Sequence, residues 1–429
     1  MPARLTRVRL FAGCALLALA IGGLSASIPA IASAEPAGRA PIAAVVQPVA
    51  ARDQISVALR DVPRGTLQAP TPTATQDTPH AAPHVATLSP IAQKFFAAVR
   101  ANFAQWDLNH DGRLTREEIE IAMQDARITG EAAAALAALK IGATKYENLT
   151  ETRTFDLADI DDMERALRER RKLDANFIGY YAVGLKKLQE TPRELFAQGL
   201  PHLTSIRQYF TADCYFLSAA GAVAETNPTA LVRLITANQD GTFMVRFPGQ
   251  PAVHVKAPTD AEIATYTAAK DGVWLSVLQK AYAEVRIRIE PKQAKTREPL
   301  DSVGFRLGST EVMELFTGHA SRAIRLGGEN DKGVNAPMMA KVRTALSTAF
   351  RERRAVTASM SHHAYAITAY DAASDRVTVH NPYSVGGYET LPEGDKIERN
   401  GDGFFTISTA QLASSFFYVR VEQGVRVGS

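Results

Sequence analysis

The chain changes character along its length, from no period at all, to helical spacing, to the alternation of strands. Residues 35–88 are rich in Pro, Ala and Thr, as at Ala69-Pro70-Thr71-Pro72, and hold few aromatics. Such a stretch buries too little apolar surface to offset ordering, so it reads as an extended linker or a pro-segment. From Leu88 the pattern turns helical. Phe95, Val99, Phe103 and Trp106 recur at spacings of four, four and three, which puts them on one helix face. More helix is predicted across residues 116–142 and 160–190. A run of small and apolar residues from Cys214 to Thr226 reads as a further helix, closed by Asn227-Pro228. In the second half, Phe243–Phe247 and Arg376–His380 alternate apolar and polar residues, the period of a strand. The expected class is α+β, with no long internal repeat.

The 429 residues suffice for two or three domains with real cores. Residues 1–34 read as a secretory signal: Arg4, Arg7 and Arg9, an apolar run from Leu10 to Leu24, then Ala32-Ser33-Ala34. The run is short for a bilayer. The expectation is therefore export to a periplasm, a surface or the medium, with cleavage near Ala34 and no stable membrane anchor afterwards. Cleavage removes Cys14 and leaves Cys214 as a single thiol, with no internal disulfide possible. It also removes three arginines and no acid, so 48 basic against 45 acidic residues become 45 of each. A neutral chain gives no electrostatic reason to bind nucleic acid or an anionic membrane.

Asp107 to Glu118 forms a twelve-residue segment with the spacing of a calcium loop. Asp107, Asn109, Asp111, Thr115 and Glu118 place side-chain oxygens at positions 1, 3, 5, 9 and 12. Arg113 offers its backbone carbonyl at position 7, Gly112 permits the turn at position 6, and Leu114 is the apolar position 8. Hard oxygen donors so spaced suit Ca²⁺, and the loop resembles an EF-hand at each diagnostic position. Asn148 to Asp159 is the candidate partner loop, with Phe155 matching Leu114 and Asp159 matching Glu118. Thr150 and Thr152 replace acids there, so it reads as degenerate and metal-free. Asn148-Leu149-Thr150 also fits a glycosylation sequon.

Cys214 falls in the first turn of its predicted helix, with Asp213 or Thr211 as the cap. Unpaired N–H groups and the helix dipole at that position favour a thiolate, the attacking species of cysteine catalysis. His363 lies 149 residues downstream and opens a strand-like run; Asn381 follows 18 residues later. Cysteine, then histidine, then asparagine is the order of papain-like cysteine peptidases. Gln208 and the Cys214 N–H are the candidate oxyanion donors.

The surrounding segments resemble the calpain catalytic domain. Gln208 stands six residues before Cys214, and Asp213-Cys214-Tyr215-Phe216-Leu217 resembles the family's cysteine motif. Trp274 with Gln279-Lys280-Ala281-Tyr282-Ala283, and Leu315-Phe316-Thr317-Gly318, follow in order. His363-Ala364-Tyr365, Asn381-Pro382-Tyr383 and Gly401-Asp402-Gly403-Phe404-Phe405 complete the set, which spans about residues 195–425. Ala212, Tyr383 and Ser384 replace the family's usual glycine, tryptophan and glycine. The resemblance implies a helical subdomain with Cys214 and a β-rich one with His363 and Asn381. It implies protein or peptide substrates and a calcium-dependent cysteine endopeptidase. The expected layout is a signal (1–34), a linker (35–88), an EF-hand module (89–170), a helical connector (171–195) and the peptidase domain (196–425). Two other readings remain open at this level: a calcium-binding protein on an inactive peptidase scaffold, and a transglutaminase-type acyl transferase.

Overall fold

The computed structural model describes residues 86–143, 153–289, 291, 299–304, 309–327, 335–360, 363–383 and 398–426. The expected signal, nearly all of the linker, the Asn148 sequon and Ser384 lie outside them.

Helices come first. α1 (Pro90–Trp106) starts at Ser89, whose side chain accepts the Ala92 N–H, and it buries Phe95, Val99, Phe103 and Trp106 as their spacing predicts. The expected stretch 116–142 divides into α2 (Arg116–Met123) and α3 (Gly130–Ala143). The stretch 160–190 divides into α4 (Leu157–Arg168) and α5 (Phe177–Glu190). The breaks have local causes. Arg170 adopts φ 58°, a left-handed conformation that ends α4, and Asn176 restarts the chain as α5 by accepting the Gly179 N–H. α3 is buried nearly all round, from Ala133 to Lys140, and α1, α2, α5 and a later helix pack about it.

A short strand β1 (Ile206–Arg207) leads to α6 (Cys214–Thr226) and α7 (Pro228–Leu234). A small antiparallel sheet follows, of β2 (Ile235–Ala237), β3 (Phe243–Val245) and β4 (Val253–Val255). Then come α8 (Asp260–Thr265), β5 (Ala268–Ala269, paired with β1), α9 (Trp274–Ile289) and α10 (Ser309–Thr317). The rest is a seven-stranded antiparallel sheet. Its strands are β6 (His319–Arg325), β7 (Val356–Ser359), β8 (Ala364–Asp371), β9 (Arg376–His380), β10 (Glu398–Gly401), β11 (Phe404–Ser408) and β12 (Tyr418–Arg426), in the order β10-β11-β9-β8-β7-β12-β6. α11 (Ala336–Arg351) and α12 (Thr409–Ser415) pack on it. Among the described residues no helix is long and apolar enough to cross a membrane.

Two apolar cores result, and β8 divides them. Ala364 and Ala366 face the first core, which also takes in α6, α9 and the N-terminal helices. Tyr365 and Ile367 face the second, with α11 and α12. A period of two thus lets one strand serve both cores. The first core runs without interruption from Leu88 through α6 to Val303, so the helical residues before 195 are packed as part of the cysteine half rather than around a core of their own.

The segment after α5 is held against the start of α9, where Val273 and Trp274 donate to the carbonyls of Glu194 and Leu195. Gly272, at φ 137°, permits that approach: a Cβ there would lie 2.5 Å from the Leu195 oxygen. Gly272→Ala is expected to cost about 1–3 kcal/mol in urea unfolding. Gly241→Ala, which meets open space at φ +78°, should cost less.

Candidate active site

β8 and β9 run antiparallel, so the residue before one and the residue after the other come together at one end of the sheet. Those residues are His363 and Asn381. The His363 Nε2 lies 2.8 Å from the Asn381 Oδ1. An amide oxygen only accepts, so Nε2 carries the proton and Nδ1 is the basic nitrogen of the ring. Asn381 is itself fixed: its N–H donates to the Gly403 carbonyl at 2.9 Å, and its Oδ1 accepts the Tyr383 N–H at 3.2 Å. The Tyr383 ring stacks on His363 at 5.1 Å, and Tyr365 meets the imidazole edge-on at 4.7 Å. Tyr383 therefore covers the imidazole although tryptophan is absent. Burial lowers the His363 pKa below its ordinary value, and the bond to Asn381 partly opposes this.

Cys214 is the first residue of α6 and is half-buried. The backbone amide of Ala364, one residue from His363, is among the groups that favour the Cys214 anion, and α6 packs on β8 here. The cysteine half and the histidine half thus meet at this point. The expectation of a thiolate is not met in this state. Burial pushes the Cys214 pKa up to about 11, outweighing the amides of Ala364, Tyr215 and Cys214 that favour the anion. Helix position was read correctly, but desolvation dominates.

Asp213 occupies the cap position of α6 without capping it through its side chain. Its carboxylate turns inward, where Oδ2 accepts from Thr267 Oγ1 at 2.8 Å and Gln279 Nε2 at 2.6 Å, and Oδ1 is buried without a partner. Nearby, Lys187 is fully enclosed. Its ammonium donates to the Ala264 carbonyl at 3.1 Å and to the Tyr266 carbonyl, and lies 4.4 Å from the Tyr209 ring centre. Burial raises the Asp213 pKa and lowers that of Lys187, and their mutual attraction opposes both shifts. The sequence reading passed over Lys187. A signal existed, since Phe177, Tyr181, Gly184 and Lys187 share the buried face of α5.

Gln208 reaches the same region. Its backbone N–H donates to the Pro382 carbonyl at 2.8 Å, tying the two halves together. Its side-chain Nε2 donates to the Thr211 carbonyl at 2.8 Å, so that donor is engaged within its own segment, and Oε1 is buried without a partner.

The 107–118 loop runs from the end of α1 into the first turn of α2. Gly112 takes φ 80°. Asp107 Oδ2, Asn109 Oδ1 and Asp111 Oδ1 accept the amides of Gly112, Asp111 and Arg113. Glu118 accepts from the amides of Leu108, Asn109 and Thr115 and from the Thr115 hydroxyl. Leu114 and Phe155 exchange backbone bonds of 2.6 and 3.1 Å, so the two apolar positions pair. Asp159 closes a capping box with Asp156 at the start of α4. Among the described residues no three His, Cys, Asp or Glu side chains converge as a metal cluster. One observation nevertheless fits a hard cation: Asp107 Oδ1 is buried with no hydrogen-bond partner.

Residues 185–390 match the profile of the calpain family of cysteine proteases, which marks this stretch as a cysteine-type peptidase domain. Cys214, His363 and Asn381 all fall inside it. No curated protein matches the chain.

With its pKa at about 11, Cys214 should be alkylated by iodoacetamide at a rate that climbs about tenfold per pH unit from 6 to 10. Mass spectrometry of the Cys214 peptide measures this. A plateau reached below pH 7 would contradict it.

Proposed function

We propose that this protein is an exported, calcium-dependent cysteine endopeptidase that cleaves protein substrates through Cys214, His363 and Asn381. The observation that carries the reading is the His363–Asn381 pair at the end of β8 and β9, with α6, which Cys214 opens, packed on β8. The Ala364 amide favours the Cys214 anion, and the adjacent His363 holds its Nε2 2.8 Å from Asn381 Oδ1. The match of residues 185–390 supports it independently.

In this reading the Cys214 thiol gives its proton to His363 Nδ1 as the sulfur attacks the scissile carbonyl carbon. Negative charge moves to the carbonyl oxygen. The Cys214 N–H stabilises it, joined by Gln208 Nε2 once that group leaves the Thr211 carbonyl. The C–N bond breaks, and the departing amine takes the proton from the imidazolium. Water then attacks the thioester, its proton passes to Nδ1, and the acid product and free thiol are restored. Asn381 keeps the imidazole in the correct tautomer and plane throughout, and Tyr383 excludes water from the bond between them.

Asp107, Asn109, Asp111, Thr115, Glu118 and the Arg113 carbonyl are the donors that would hold Ca²⁺. The bound ion would neutralise the carboxylates of the loop and fix its shape. Arg4, Arg7 and Arg9, the apolar run after them and Ala32-Ser33-Ala34 support export.

Cleavage of casein, with and without Ca²⁺, tests the proposal. Cys214→Ala should abolish hydrolysis, and Asn381→Ala should lower kcat by roughly 10²-fold. A Cys214→Ala protein as active as its parent would refute the assignment. Calcium binding without labelling by thiol-directed inhibitors would assign a binding protein, and amine incorporation without hydrolysis would assign a transferase.

A further inference from the structure

Thr115 is both loop position 9 and the N-cap of α2, and Arg116 is the next residue. The Arg116 guanidinium leaves the loop for the peptidase half. Its Nη2 binds Asp301 Oδ2 at 2.7 Å while its Nε binds Glu120 Oε1 at 2.5 Å. Lys140 closes the group, with Nζ 2.5 Å from Glu120 Oε1 and 2.7 Å from Asp301 Oδ2. Two cations and two carboxylates are thus matched in an almost enclosed setting, where each would be costly alone. The other Asp301 oxygen accepts the Tyr266 hydroxyl at 2.6 Å. The Tyr266 carbonyl accepts Lys187, and the next hydroxyl, Thr267 Oγ1, donates to Asp213 at 2.8 Å. Asp213 precedes Cys214. At its other end α2 is pinned as well, because Thr259 Oγ1 donates to the Met123 carbonyl at 2.6 Å.

The loop end of this chain of contacts has two mutually exclusive arrangements. The Glu118 carboxylate holds four donors, two of them from Thr115 in the first turn of α2. Those donors fill its acceptor sites. Glu118 must give some of them up to serve a cation, and Arg116 sits within that turn. We propose that Asp301, Tyr266 and Thr267 are positioning residues that carry the state of the 107–118 loop to Asp213, and through it to the orientation of Cys214. This rests on the calcium reading given above. It also assigns the helical N-terminal residues a part in the peptidase: α2 and α3 form one wall of the relay.

The full chain with Tyr266→Phe, Thr267→Val, both together, and Glu118→Gln tests this. Tyr266→Phe and Thr267→Val remove hydroxyls with little change in volume. Two quantities are read: Ca²⁺ binding by calorimetry, and the rate of iodoacetamide alkylation on the Cys214 peptide with and without Ca²⁺. In the unaltered protein Ca²⁺ should change the alkylation rate about fivefold or more. Glu118→Gln should lose that response. Tyr266→Phe and Thr267→Val should each still bind Ca²⁺ while the Cys214 response is largely lost. The double variant should be no worse than either single one, as expected for links in series rather than for independent damage. A wild-type response in both single variants, or additive losses in the double, would overturn the relay. Absence of Ca²⁺ binding by the unaltered protein would instead overturn the calcium reading on which it stands.

Discussion

The first turn of α6 lies against the opening of β8, and every feature of the site depends on that contact. The Ala364 amide favours the Cys214 anion from there. It can do so because β8 alternates: Ala364 and Ala366 turn small side chains to the α6 side, while Tyr365 and Ile367 fill the opposite core. A large residue at 364 would push the helix off the sheet and move sulfur away from imidazole. The backbone bond from Gln208 to Pro382 is a second tie across the same junction. Neither side holds the site by itself, since Cys214 and Gln208 come from one and His363 and Asn381 from the other.

Beneath this junction the molecule buries charge. Lys187 and Asp213 are enclosed, and Arg116, Glu120, Lys140 and Asp301 are nearly so. Such groups are retained only when each is matched, because an unpaired buried charge costs several kcal/mol. Apolar residues of the same volume would hold the helices at least as well. What the charged groups add is direction, since ion pairs and hydrogen bonds fix angles that apolar contacts leave loose. That suits a region which must set the orientation of Asp213 and the cysteine that follows it.

Much of this was legible in the sequence. Arg376–His380 is a strand with the expected alternation, the helix from Cys214 to Thr226 has the expected bounds, and Phe95, Val99, Phe103 and Trp106 share a buried face. Those signals are local and periodic. What escaped was set by long-range burial. The break after Arg168 depends on a single backbone conformation, that of Arg170. The inward turn of Asp213 depends on Thr267 and Gln279, more than fifty residues away. The sharing of one core by the N-terminal helices and the cysteine half is invisible to composition, because both segments are equally apolar. The protonation of Cys214 was missed for a related reason: helix position can be read from a sequence, desolvation cannot.

Two features at the junction run against the proposed catalysis as the structure stands. Burial holds the thiol protonated, and the Gln208 amide is bound to the Thr211 carbonyl while its own oxygen is left without a partner. A reactive enzyme needs the reverse in both cases: a sulfur that ionises easily and a donor aimed at the oxyanion. Both Gln208 and Thr211 belong to the segment that runs from β1 into α6, so a small movement of that segment would change both together. Its leverage is favourable, since an unpaired buried amide oxygen raises the energy of the resting arrangement by about 1–3 kcal/mol. The resting site is therefore poised rather than locked. A thiol kept neutral is also poorly reactive toward oxidants, because oxidation proceeds through the thiolate. An inert resting state therefore protects the Cys214 sulfur until the segment moves.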